Sequence, residues 1–155
     1  MRYDWEKLNR QQVGAFSEYF VKMEFTMYGF QVYTTEIDDR GIDFVTRFKD
    51  DSFLTIQVKS IRKSGYVFME KSKYKISEDL FLGLVILNQG MEPNVFLIPS
   101  TTWNEPNKLF VDRNYVDKKS KPEYGLNLSL KNLNLLEEYS FEKSINKLIL
   151  DTSLS

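Results

Sequence analysis

Three polar residues stand in an otherwise apolar, β-branched stretch, "GIDFVTRFKDDSFLTIQVKS" (41–60): Asp43, Gln57 and Lys59. In a strand, residues i and i+2 share a face. Gln57 and Lys59 therefore point the same way, along with Phe53 and Thr55, while Leu54, Ile56 and Val58 point to the other face. If 42–48 pairs with 52–60 as a hairpin, Asp43 lies on the neighbouring strand, within a few residues of Lys59 in register. A carboxylate, an amide oxygen and an ammonium then converge at one end of two paired strands. The plain reading of that arrangement is a cross-strand Asp–Lys pair with a hydrogen-bonding Gln on a wet sheet face.

Composition narrows the chemistry. The 155-residue chain has no Cys and no His. That excludes disulfides, thiolate or imidazole metal sites, a Cys nucleophile and a Ser-His-Asp triad. Neither GxxxxGK[ST] nor GxGxxG occurs. What remains is carboxylates, Lys, Tyr, hydroxyls and an oxygen-liganded ion such as Mg²⁺, Mn²⁺ or Ca²⁺. The net charge of −1 gives no global attraction for nucleic acid. Within 59–75, however, Lys59, Arg62, Lys63, Lys71, Lys73 and Lys75 are opposed by Glu70 alone. An isolated basic run reads as a solvated ribbon; its place directly after Gln57 and Lys59 also makes it a candidate phosphate-facing patch.

The elements that must position these groups follow from periodicity. Val13, Phe16, Phe20, Met23 and Met27 recur at helical spacing in 8–28, with a second stripe at Gly14, Glu18, Val21 and Phe25. The helix is expected to be covered on two sides, with Glu18 on a semi-apolar face and Gly29 as its stop. Strands are expected at 30–35, 42–48 and 52–60, forming a meander against this helix, with a shorter strand at 65–70. The segment 71–80 reads as either a short helix or a loop. "LFLGLVIL" (80–87) is continuously apolar, which predicts a central strand buried on both faces. Another strand is expected at 94–100. Residues 104–129 read as an irregular wrap with short strand-like pieces. Ser140 is placed to cap a last helix with Phe141, Ile145, Leu148 and Ile149 on one stripe. The whole is one α/β domain, 1–155, with a mixed central sheet and flanking helices: a core at about 10–100 and a C-terminal wrap and helix at 104–150. No apolar run is long enough to span a membrane and the first residues lack a leader's apolar core, so a cytoplasmic location is expected.

The order of these parts resembles the PD-(D/E)XK nuclease superfamily, the restriction-endonuclease-like fold. The parts are a helix with Glu18, a G-I-D, a strand ending Q-V-K-S and then a basic segment. Asp43 in "GIDFV" matches the Asp at the strand start; Gln57 and Lys59 in "IQVKS" match the second half in its Gln form; Glu18 in "VGAFSEYF" matches the helical Glu that many members carry. Ile42 stands where the motif has Pro. The resemblance covers roughly 10–100 and implies an endonuclease that hydrolyses phosphodiester bonds with Mg²⁺ or Mn²⁺. It implies metal ligation by Asp43, Gln57, the Val58 carbonyl and, through water, Glu18. Lys59 would orient the attacking water and offset charge on phosphorus. DNA is the expected partner and RNA the second candidate, with a homodimer the arrangement that cutting both strands calls for. Ser60, Arg62, Lys63, Lys71, Lys73 and Lys75 are the candidate nucleic-acid contacts.

Other readings sit beside these. Ser60 also reads as an ordinary strand-end hydroxyl. Glu36, Asp38 and Asp39 read as a solvated turn or as an extra metal ligand. Tyr66, Phe68 and Tyr74 read as core packing or as base-stacking residues, and Trp5 and Trp103 as packing. Two rivals compete for the whole: a catalytically inactive module on the same fold that binds nucleic acid or protein, and an unrelated α/β protein whose Asp, Gln and Lys form a surface ion pair.

Overall fold

The computed structural model of the chain describes residues 1–36, 41–116 and 119–154, the last three without their side chains. Asn9 opens the first helix, α1 (Arg10–Met27), with a reciprocal cap: its side chain accepts from the Gln12 N–H, and its own N–H donates to the Gln12 side chain, each at 2.9 Å. Gly29, at φ +87°, ends it. Strands β1 (Gln31–Thr34), β2 (Phe44–Arg47) and β3 (Leu54–Arg62) follow as the expected antiparallel meander. β3 continues into β4 (Gly65–Glu70), and a turn-rich segment leads to β5 (Leu80–Leu87), which pairs parallel with β3. β6 (Asn94–Pro99) closes the main sheet antiparallel to β5, giving the order β1-β2-β3-β5-β6. The protein is an α/β domain with a mixed five-stranded sheet.

A second sheet is the main departure from expectation. Residues 104–129 are not an irregular wrap: they supply β7 (Phe110–Arg113) and β8 (Glu123–Leu128), which join β4 in the order β4-β8-β7. The Asn107 side chain accepts from the Leu109 and Phe110 N–H groups at 2.8 Å and turns the chain into β7.

Two cores meet at β5. Leu82, Leu84 and Ile86 pack toward the second sheet with Val67, Met69, Phe110, Leu126 and Leu128. Phe81, Val85 and Leu87 pack toward the helices with Val21, Phe25, Phe44, Ile56 and Ile145. All eight β5 residues are buried, as a strand covered on both faces must be. The last helix, α2 (Phe141–Leu154), begins where expected, and the Ser140 hydroxyl accepts from the Lys143 N–H.

Helix α1 buries a line that draws on both of its stripes, and the end of the first stripe stays outside. Val13, Ser17, Val21 and Phe25 are buried, whereas Met23 and Met27 are exposed. Gly83 explains the choice. A Cβ there would stand 3.1 Å from Val21 Cγ1, so the missing side chain lets the helix close onto β5. Phe16 and Phe20 are left at the margin, where they stack on each other and Phe16 meets Trp5.

Candidate functional site

Asp43 sits one residue before β2 and grips β3 in two places. Its N–H donates to the Ile56 carbonyl at 2.9 Å, and its carboxylate Oδ2 accepts from the Val58 N–H at 2.6 Å. The two contacts bracket Gln57. That side chain is 8 % exposed, and its Oε1 has no hydrogen-bond partner among the described residues. A buried amide oxygen left in this state costs about 1–3 kcal/mol. Such an oxygen fits a hard cation's donor set, and the neighbouring Asp43 carboxylate supplies the charge that a neutral amide lacks.

Gly41 completes the wall. It adopts φ +75°, and a Cβ on it would lie 3.0 Å from the Lys73 carbonyl oxygen and 3.6 Å from Gln57 Nε2. The 41–43 segment thus lies directly against the 71–73 segment, beside Gln57. This close approach went unread in the sequence, where Gly41 signals only a turn.

Lys59 leaves β3 on the same face as Gln57, half-buried, and takes no hydrogen-bond or ion-pair partner among the described residues. The cross-strand Asp–Lys pair is therefore not what occupies this face. Ser60 alternates to the opposite face of β3, the side on which Ile56 and Val58 pack with α1.

Glu18 belongs to the helix layer, half-buried, while Gln57 and Lys59 leave β3 on the other side. One turn on from Glu18, Lys22 lies over the Phe44 ring at 5.8 Å, so this flank of α1 runs above the start of β2. Among the described residues no group of three or more Asp and Glu side chains forms that could hold a metal. The structure thus brings together Asp43, Gln57 and the Val58 peptide, with Lys59 on the Gln57 face; it does not add Glu18 to them.

The basic run divides. Arg62 is not a surface contact: its Nη1 donates to the Trp5 and Leu8 carbonyls, each at 2.9 Å, tying β3 to the N-terminal segment. Lys63, in the β3–β4 turn, pairs with Glu6 at 3.4 Å. Lys71 is bound to Asp112 and to Asn114, and lies over the Tyr124 ring at 4.6 Å. Lys73 and Lys75 are exposed, with no ion-pair partner among the described residues. They line a cavity of about 470 Å³ with Ile42, Thr55, Ser72 and Ser77, alongside the Asp43–Gln57 pair. The segment that carries them is a loop, held by the Ser100 hydroxyl. That group accepts from the Ser77 N–H at 3.0 Å and donates to its carbonyl at 2.8 Å.

The aromatic residues also separate. Tyr74 is fully buried between the sheets, which rules out base stacking by it. Burial pushes its pKa well up. Tyr66 and Phe68 lie on the outer face of the second sheet, where the Tyr66 hydroxyl donates to Glu123 and its ring crosses Gly125. Burial, and then that hydrogen bond, push the Tyr66 pKa up. Trp5 and Trp103 are packing residues, as expected: both are buried, with indole N–H groups on the Met91 and Gly125 carbonyls. Of the acidic turn, Glu36 is described, while Asp38 and Asp39 lie outside the described residues. No described helix is long and apolar enough to cross a membrane. Comparison with known proteins leaves the site to be read on its own chemistry: no family model matches the chain, and no curated protein matches it.

Proposed function

We propose that this protein is a divalent-cation-dependent nuclease that hydrolyses phosphodiester bonds of DNA. The observation that carries the reading is the buried Oε1 of Gln57, without a hydrogen-bond partner among the described residues, next to the Asp43 carboxylate. Asp43, Gln57 and the Val58 carbonyl would hold Mg²⁺ or Mn²⁺, which when bound polarises a phosphate and acidifies water. The chain's own groups do the rest. Lys59, on the Gln57 face and without a partner among the described residues, orients the attacking water and offsets negative charge building on phosphorus. Lys73 and Lys75 neutralise the phosphates that flank the scissile one. The Asp43–Val58 hydrogen bond fixes the carboxylate, so little reorganisation is needed when substrate arrives.

A second reading, a non-catalytic module that binds nucleic acid, is favoured by one fact: the Val58 N–H already engages Asp43 Oδ2. The test is cleavage of supercoiled plasmid, branched DNA and RNA with Mg²⁺, Mn²⁺ or a chelator, beside a Lys59→Met variant. Cation-dependent cutting that the variant lacks supports the nuclease. Binding without cutting, unaffected by the chelator, assigns the second reading. Cutting by Lys59→Met at the native rate overturns the site.

A further inference from the structure

A second cavity lies far from Asp43. It has a volume of about 620 Å³ and opens outside the carboxyl ends of the parallel strands β3 and β5. Gln57 and Lys63 are six residues apart on extended chain, a separation of about 20 Å. In open α/β sheets, the crevice beyond the carboxyl ends of parallel strands is where small ligands seat. The volume falls within the range of such sites, about 300–1,000 Å³.

The lining has two chemistries. Its floor is apolar: Ile86 and Phe96 from the main sheet, with Leu133 and Leu136 from the turn before α2. Its rim is polar. Asn88, Asn94 and Asn134 line it, and none of these side chains has a hydrogen-bond partner among the described residues. Each amide offers a donor and an acceptor side by side, the pattern that pairs with the edge of a heterocycle. Lys143 adds an ammonium group and Glu137 a carboxylate, while the Lys63 ammonium is held by Glu6 at 3.4 Å. The Lys143 ammonium is exposed and has no ion-pair partner among the described residues. A purely apolar ligand would leave the amides and the Lys143 ammonium unused, and a bare anion would leave the floor unfilled.

We infer that this cleft binds a nucleoside monophosphate. The base lies on the Phe96–Leu136 floor with its edge toward the Asn amides, the phosphate meets Lys143, and Glu137 accepts from the ribose hydroxyls. The site is separate from the Asp43 centre and does not depend on what that centre does.

The test is calorimetric titration of the full chain with each of the four ribonucleoside monophosphates, with adenosine and with inorganic phosphate. We expect at least one monophosphate to bind at least about tenfold more tightly than either adenosine or phosphate. Lys143→Ala should weaken it about tenfold, and Lys143→Glu should abolish it. A Glu near a helix start favours the helix, so a melting curve separates lost binding from lost fold. Lys73→Ala should leave affinity unchanged. The inference falls if no monophosphate binds at millimolar concentration or if phosphate alone binds equally well. It also falls if both Lys143 variants bind as the native protein does, or if Lys73→Ala removes the binding.

Discussion

The Asp43 carboxylate accepts a hydrogen bond from the Val58 N–H at 2.6 Å, so one side chain both pins β3 and presents its charge beside the Gln57 amide oxygen, which has no partner among the described residues. The two roles can be separated. Asp43→Asn keeps an oxygen acceptor for the Val58 N–H, whereas Asp43→Ala removes it. We expect Asp43→Ala to lose about 1–3 kcal/mol of stability and Asp43→Asn to lose less. Both should lose cation-dependent cleavage. Urea unfolding beside a cleavage assay reads both effects, and equal stability of the two variants would contradict the pinning role.

Lys59 should behave in the opposite way. It holds no partner among the described residues, so Lys59→Met removes no bond from the fold. We expect a stability change within about 0.5 kcal/mol and a fall in cleavage of about 10²–10⁴-fold. A large loss of stability would show that the ammonium serves the fold.

Gln57→Glu places a carboxylate where exposure is only 8 %. Without a cation, a second negative charge beside Asp43 is poorly solvated and destabilises the fold. The variant should melt below the native protein in chelator and gain more in melting temperature than the native protein does when Mg²⁺ is added. Identical melting shifts in the two proteins would show that the Gln57 oxygen faces no ion.

Gly41→Ala tests the contact between the two loops. Its Cβ would stand 3.0 Å from the Lys73 carbonyl oxygen, on a backbone at φ +75°. The left-handed conformation alone costs about 1–2 kcal/mol for a non-glycine residue, and the crowding adds to it. We expect at least that loss in chemical denaturation. A neutral outcome would mean that the 41–43 and 71–73 segments do not meet in solution.

Glu24, half-buried on α1, gives a pH dependence. Desolvation raises its pKa in the folded protein above the ordinary carboxylate value. A raised folded-state value means that no penalty exists at pH below the unfolded pKa and that stability falls as pH rises through the folded one. Glu24→Gln should therefore be slightly more stable than the native protein at neutral pH, by less than about 0.5 kcal/mol because the group is partly solvated. That gain should vanish in acid. Melting curves from pH 3 to pH 7 measure it.

What the sequence made legible was set by local rules. The i, i+2 rule and a short hairpin suffice to put Gln57 and Lys59 on one face beside Asp43, and an unbroken apolar octet suffices to bury β5. The misreadings arise where the deciding partner is distant. Two apolar stripes run along α1, and only Gly83, on another element, selects Val21 over Met23 and Met27. Arg62 reads as part of a basic surface because its carbonyl partners, Trp5 and Leu8, lie more than fifty residues away. The pieces "FVDR" and "EYGLNL" are too short and too polar to announce strands; they become strands because β4 leaves the main sheet and pairs with β8. Lys73 and Lys75 look no different in sequence from Lys71, yet only Lys71 meets Asp112 across that sheet.

Because β5 forms the floor of one hydrophobic layer and the ceiling of the other, neither half of the molecule can melt and leave the remaining half intact. Its backbone amides should be the last to trade hydrogen for deuterium, at the rate of whole-chain opening, and they should do so together whichever side is disturbed. A lesion at Phe110 in the small sheet and one at Phe25 in the first helix would then loosen the same eight protons.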